Sequence, residues 1–189
     1  LQRMNFFGRE APLEVYGPAG CEDLVRQLLS LGHFKAAYPV RATDLAPGER
    51  VDCGDDVGAA FEAVHTVPGL GYVLEEKVRA GRFDLDKARA LGIPPGPLYS
   101  RLQEGQSVTV AGTTITPEQV LGPPRRGRKI VYTGDSMPHE ALVKMAHGAD
   151  VLIHDATSDA ALAEKANRYG HSSSRQAAQV AKAADVGLP

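Results

Sequence analysis

Cysteine, long apolar runs and net charge are all scarce in this sequence, and each shortage removes a class of protein. Cys21 and Cys53 are the only cysteines among 189 residues, and they form no CxxC pair. That argues against a disulfide scaffold and a thiolate zinc site, and it suits a reducing, cytoplasmic compartment. No apolar run is long enough to span a bilayer and no signal-peptide pattern is visible, so no membrane partner is expected. The net charge of -2 gives no global attraction to nucleic acid, so any basic contact must be local.

What is present suits a soluble globular chain. Hydrophobic residues make up 43% and charged residues 23%, and the length allows one domain with a substantial core. Short strands are predicted at Pro12 to Gly17, around Tyr38 to Leu45 and at Glu49 to Cys53. Further strands are predicted at Gly58 to Val67 and Leu70 to Lys77, on either side of the Pro68-Gly69 turn. Leu24, Leu28 and Leu31 lie at helical spacing after Cys21, with Gly32 as the stop. Later, Lys129 to Tyr132 and Val151 to Ile153 read as buried strands. Met137 to Ala149, Ser158 to Gly170 and Ser172 to Gly187 read as helices. The alternation predicts an α/β layered fold.

Between Lys77 and Arg128 the character changes to Pro, Gly, Lys and Arg. A helix is expected over Asp84 to Gly92, then the rigid Ile93-Pro-Pro-Gly-Pro97 run, then a hairpin around Ala111-Gly112. The few large apolar residues predict an excursion without a core of its own, flexible at its tip. The expected organisation is thus a core at 1–76, an inserted arm at 77–128 and a second part of the core at 129–189.

Several chemical residues sit at element edges. His65 stands between an apolar run and a Pro-Gly turn, where a backbone carbonyl or water could equally satisfy it. Asp135 follows one apolar strand, with Gly134 allowing a tight turn; His154 and Asp155 leave another. Strand C-terminal ends are where ligands gather in open α/β sheets. His171 precedes Ser172 and Ser173, either of which can cap the next helix, and such helix starts can hold a phosphate. The structural alternatives are specific: Asp135 as the cap of the helix from Met137, and His171 as a surface side chain.

The run HTVPGLGYVLEEKVRAGRFDLDKARALGIPPGPLY, followed by YTGDS, HDAT and GHSSS, resembles ribonuclease Z (tRNase Z), and LEVYGPAG also fits. The GIPPGP segment is the most specific part. The resemblance implies a metallo-β-lactamase-like αββα sandwich, partial in this chain, with an inserted tRNA-binding arm. It implies a zinc-dependent endoribonuclease, two Zn(2+) per subunit, that removes the 3′ trailer of precursor tRNA and leaves a 3′-hydroxyl. By the same analogy the enzyme is a homodimer, and the arm of one subunit serves the tRNA held by its partner. His65 and Asp135 would be metal ligands, Asp135 bridging both ions, while His171 would donate a proton to the leaving group. His154 and Asp155 would belong to the motif that orients His171. The family's motif carries Glu where Asp155 stands, one methylene longer, so the backbone must come closer here. Lys77, Arg79, Arg82, Lys87, Gly96, Pro97 and Ser172 would contact substrate, with Arg125, Arg126 and Arg128 at the far root of the arm.

The departures are equally definite. The family's His-x-His-x-Asp-His motif is absent, and the resemblance places it before Leu1; the last ligand histidine is expected beyond Pro189. A catalytic zinc takes about three protein ligands, so this chain alone is expected to be an inactive middle part of a larger enzyme. Two other readings remain: a hydrolase of small phosphodiesters or sulfate esters on the same fold, and a non-catalytic RNA-binding fragment.

Overall fold

The computed structural model describes residues 1–31, 33 and 35–187. In chain order the elements are α1 (Gln2–Phe6), β1 (Leu13–Gly17), α2 (Cys21–Ser30), β2 (Val40–Asp44), β3 (Arg50–Asp52), β4 (Asp56–Ala63) and β5 (Gly69–Glu76). Then come α3 (Leu85–Ala90), α4 (Pro97–Gln103), β6 (Val108–Val110) and β7 (Thr113–Ile115). The chain continues with β8 (Lys129–Tyr132), α5 (Glu140–Ala146), β9 (Val151–Ile153), α6 (Ala163–Arg168) and α7 (Ser174–Ala183). Gly32, read as the stop of α2, lies outside the described residues. Two compact units result: Leu1–Glu75 with Lys129–Pro189, and Glu76–Arg128.

In the first unit, β1 and β2 pair in parallel with α2 as their crossover. The Asp44 carboxylate, at the end of β2, accepts the N–H groups of Gly20 and Glu22 at 2.8 and 2.9 Å. It thereby satisfies donors that the first turn of α2 would leave unpaired. The larger sheet has the order β3-β4-β5-β8-β9, with β5 and β8 antiparallel and β8 and β9 parallel. Its register lines up Val73, Val131 and Leu152 on one face, all buried together with Leu142 and Ala146 of α5 and Val180 and Ala181 of α7.

The opposite face differs from the expectation. Ile130, Tyr132 and Ile153 are 37%, 50% and 50% exposed, so β8 and β9 are buried on one face only. Ile130 to Tyr132 and Val151 to Ile153 are apolar throughout, and Lys129 lies on the side of buried Val131, so the pattern does not mark the open face. Helix α5 also starts later than expected, at Glu140, because the Nδ1 of His139 accepts the Leu142 N–H at 3.3 Å. His139 is the cap, and Asp135 is left for other work.

The second unit is more ordered than its composition suggests. Its two ends form an antiparallel stem, in which Arg79 and Arg125 exchange backbone bonds of 2.9 Å and the Asp84 N–H donates to Val120 at 2.7 Å. The stem strands meet closely at Gly81, where a Cβ would overlap the Gly122 carbonyl. Above the stem, Ala88, Ile93, Leu102, Val108, Ile115 and Val120 form a buried cluster, with Phe83 and Tyr99 packed against it. The expectation that this segment buries no core is therefore wrong. Helix α4, which the Pro-rich run concealed, supplies Leu102, and a hairpin turning at Ala111 and Gly112, both at positive φ, supplies Val108 and Ile115.

Glu76 closes the foot of the stem. Its carboxylate accepts from the Arg128 N–H at 2.9 Å and from the guanidinium at 2.6 Å. Those bonds hold its pKa at about 2, against an ordinary 4.5. A depressed carboxylate stabilises the fold above its unfolded pKa and loses that contribution as pH falls through the folded one. The stem foot should therefore stay closed down to about pH 3. Carboxyl NMR shifts of Glu76 provide the check: a midpoint near the ordinary value of 4.5 would show that the Arg128 bonds are not made in solution.

Candidate metal centre

Four loops on one rim of the larger sheet carry the chemical residues. His65 follows β4, Asp135 follows β8, Asp155 follows β9, and His171 lies between α6 and α7. Because β8 and β9 are parallel, their C-terminal ends open at the same rim. His65, Asp135 and His171 meet there, each offering a ligand atom within 4.8 Å of the others. The His65 and His171 rings stand edge to face with centroids 4.9 Å apart. Asp135 is exposed, and both histidines are half-buried.

The approach depends on Gly170. It has φ +79°, and a Cβ there would lie 2.7 Å from the His65 Cα and 2.8 Å from its Cδ2. Only a residue without a side chain lets the α6–α7 loop come this near to His65.

Asp155 holds His171 from behind. Its Oδ2 lies 2.8 Å from the His171 Nδ1, which leaves Nε2 for a ligand or substrate. The shorter aspartate therefore does reach. Oδ2 also accepts the N–H groups of Ser136 and Ser172, each at 3.3 Å. Oδ1 accepts the Thr157 N–H at 2.9 Å and its hydroxyl at 2.6 Å. Burial works against the charged carboxylate, but the bonds from Thr157 and His171 outweigh it, so its pKa falls below the usual range.

The remaining sequence-marked residues divide. His154 does not join the cluster. Its Nδ1 lies 2.9 Å from the Asp155 carbonyl, and burial pushes its imidazole toward the neutral form, which makes it a poor proton donor. Ser172 is corrected as a substrate contact: it is fully buried, its hydroxyl donates to the Ser136 carbonyl at 2.7 Å, and its N–H is bound to Asp155. The helix cap is Ser173, paired with Gln176 in a capping box, so the start of α7 is satisfied internally. Lys77, Arg79, Arg82, Lys87, Gly96 and Pro97 are exposed in the second unit. There Arg79 pairs with Glu76 and Lys87 with Asp84, at 3.5 and 3.6 Å. Gly96, at φ 141°, sets the turn from which Pro97 opens α4.

Sequence reasoning assigned no role to Gly170, Thr157, Thr133 or Ser136. All four lie inside the quoted motifs, but apart from the local bonds of Thr157 to Asp155 their work depends on contacts between loops distant in sequence. Thr133, for example, accepts the Asp155 N–H at 3.2 Å.

The donor set suits a metal, with one adjustment. The Nδ1 of His65 accepts the Val67 N–H at 3.3 Å. A metal on Nδ1 displaces that long bond, and a metal on Nε2 leaves a proton on Nδ1 facing it, so binding releases Val67 either way. A cleft of about 750 Å³ borders His65, and among its lining residues are the acids Asp44, Glu49 and Glu62. Such walls suit cations better than a phosphate backbone.

Comparison with known proteins shows what the chain is similar to. The chain is 44% identical over 186 residues to ribonuclease Z of Methanosarcina acetivorans, covering 98% of this chain and 61% of that protein. The chain is a homologue of ribonuclease Z. The ribonuclease Z of Natronomonas pharaonis is 43% identical over 188 residues, again covering 98% of this chain and 61% of the relative. The chain thus spans about three-fifths of the length of the curated ribonuclease Z relatives it matches. Among solved structures, the short form of human tRNase Z superposes with a TM-score of 0.60 at 23% identity, covering 94% of this chain and 58% of that one. The metallo-β-lactamase fold protein YhfI of Bacillus subtilis gives 0.56 at 16% identity, covering 99% and 54%. The fold is the metallo-β-lactamase fold, and His65, Asp135 and His171 are placed where they could hold a metal ion. No family model matches the chain. Among the described residues of this ribonuclease Z homologue, no helix is long and apolar enough to cross a membrane.

Proposed function

We propose that the intact protein is a zinc-dependent endoribonuclease that removes the 3′ trailer from precursor tRNA. The meeting of His65, Asp135 and His171, with Asp155 behind His171, carries this reading. His65 and Asp135 would hold zinc, with two ions per subunit and Asp135 shared between them. Bound zinc would supply an activated water and polarise the phosphodiester. His171, oriented by Asp155, gives its Nε2 proton to the departing 3′-oxygen as the P–O bond breaks. The tRNA body then ends in a 3′-hydroxyl and the trailer in a 5′-phosphate. Two free thiols, Cys21 and Cys53, support a cytoplasmic setting. The likeness to ribonuclease Z supports a homodimer.

The experiment is to incubate the intact protein with precursor tRNA and map both new ends. Cleavage that stops on chelation and returns with zinc supports the reading. Hydrolysis of a small phosphodiester without any cleavage of precursor tRNA would assign it instead to the small-substrate hydrolases.

The second unit is proposed as the tRNA-binding arm. Exposed Lys77, Arg79, Arg82 and Lys87, with Arg125, Arg126 and Arg128, can meet phosphates, and the exposed Gly96 and Pro97 offer a backbone surface. Replacing Arg79, Arg82 and Lys87 together by Ala should weaken binding of precursor tRNA by about 10–100-fold and reduce the salt slope by about 2. The rate on a small chromogenic phosphodiester should not change. Equal loss on both substrates would show that these residues serve the catalytic site itself.

A further inference from the structure

One fully buried residue is bonded to the loops that carry the whole candidate site. The hydroxyl of Ser136 donates to the Met137 carbonyl and accepts the N–H of Val64, both at 3.0 Å. Val64 is the residue before His65, and it is gripped again where the Met137 N–H donates to its carbonyl at 3.0 Å. The Ser136 N–H donates to the Asp155 carboxylate at 3.3 Å. Its carbonyl accepts the hydroxyl of Ser172, the neighbour of His171, at 2.7 Å. Ser136 itself follows Asp135. A hydroxyl suits this place because it donates and accepts at once, which alanine cannot do.

We propose that Ser136 is a positioning residue that fixes the spacing of His65, Asp135 and His171 and so sets the affinity of the site for metal. The proposal rests on the reading of that cluster as a metal site. Without the hydroxyl, the Val64 N–H and the Met137 carbonyl each lose a partner, and the His65 loop loses its side-chain tie to the Asp135 loop. Groups that orient metal ligands from behind typically account for 10–100-fold in affinity. A residue that merely fills space would change thermal stability and leave the metal affinity of the folded protein alone.

The test is a zinc titration of the intact, metal-free protein against a chromophoric chelator, alongside amide exchange at Val64. Ser136→Ala should bind zinc about 10–100-fold more weakly and exchange the Val64 N–H faster. Ser136→Thr, which keeps the hydroxyl, should bind within about threefold of wild type. Ser172→Ala removes the hydroxyl bonded to the Ser136 carbonyl and so loosens the loop that carries Asp135; it should also weaken binding, which decides the matter if Ser136→Ala does not fold. Wild-type affinity in folded Ser136→Ala, or in Ser172→Ala where Ser136→Ala does not fold, overturns the proposal. Wild-type protein that takes up no zinc overturns the metal reading beneath it.

Discussion

Replacing His171 by alanine in the intact protein should lower kcat by about 10²–10⁴-fold while zinc content stays at the wild-type level. The expectation comes from the division of labour at the rim. The Nδ1 of His171 is held by Asp155 at 2.8 Å, and that carboxylate is almost wholly buried among donors that keep it ionised. An imidazole so held is fixed in orientation with its Nε2 left for the leaving group, as a general acid requires. The same carboxylate–imidazole pair can also stand behind a metal ligand. Metal content separates the two roles. Loss of zinc along with activity would make His171 a ligand, and full activity would reduce it to a helix-edge histidine.

Gly170→Ala should be nearly as damaging, although Gly170 takes no part in the chemistry. The added Cβ would lie 2.7–2.8 Å from atoms of His65 and Thr66, closer than real contacts come, so the loop carrying His171 must retreat. A misplacement of about 1 Å can cost about 10²-fold in rate, and that is the loss expected in kcat. Zinc affinity should fall as well. Gly148→Ala is the control: its φ of +63° is equally unfavourable to a side chain, but nothing lies within 4 Å of its Cβ. It should lose about 1 kcal/mol of stability and keep its zinc. Equal damage from both substitutions would mean that backbone strain, not the approach to His65, explains Gly170.

These two residues show what the sequence discloses and what it hides. His171 stands out because imidazole beside a hydroxyl-rich helix start is a chemical pattern visible in one dimension. So do His65 and Asp135, each at the end of an apolar run, and the structure brings all three together. Gly170 does not stand out, because its role is a distance to a residue far away in the chain. The core of the second unit stayed hidden for the same reason. Ile93, Leu102, Val108, Ile115 and Val120 are spread thinly among polar residues, and only the stem and the hairpin bring them into contact. Conversely, Lys129 to Tyr132 looked wholly buried because four residues cannot show which side of a sheet is open.

The most direct test of the central claim is the anomalous scattering at the zinc edge from crystals of the intact, zinc-loaded protein. The account predicts metal about 2.0–2.2 Å from the His65 imidazole and the Asp135 carboxylate, with His171 outside bonding distance and its Nδ1 still on Asp155. Anomalous density bonded to His171, or none beside His65 and Asp135, would contradict it.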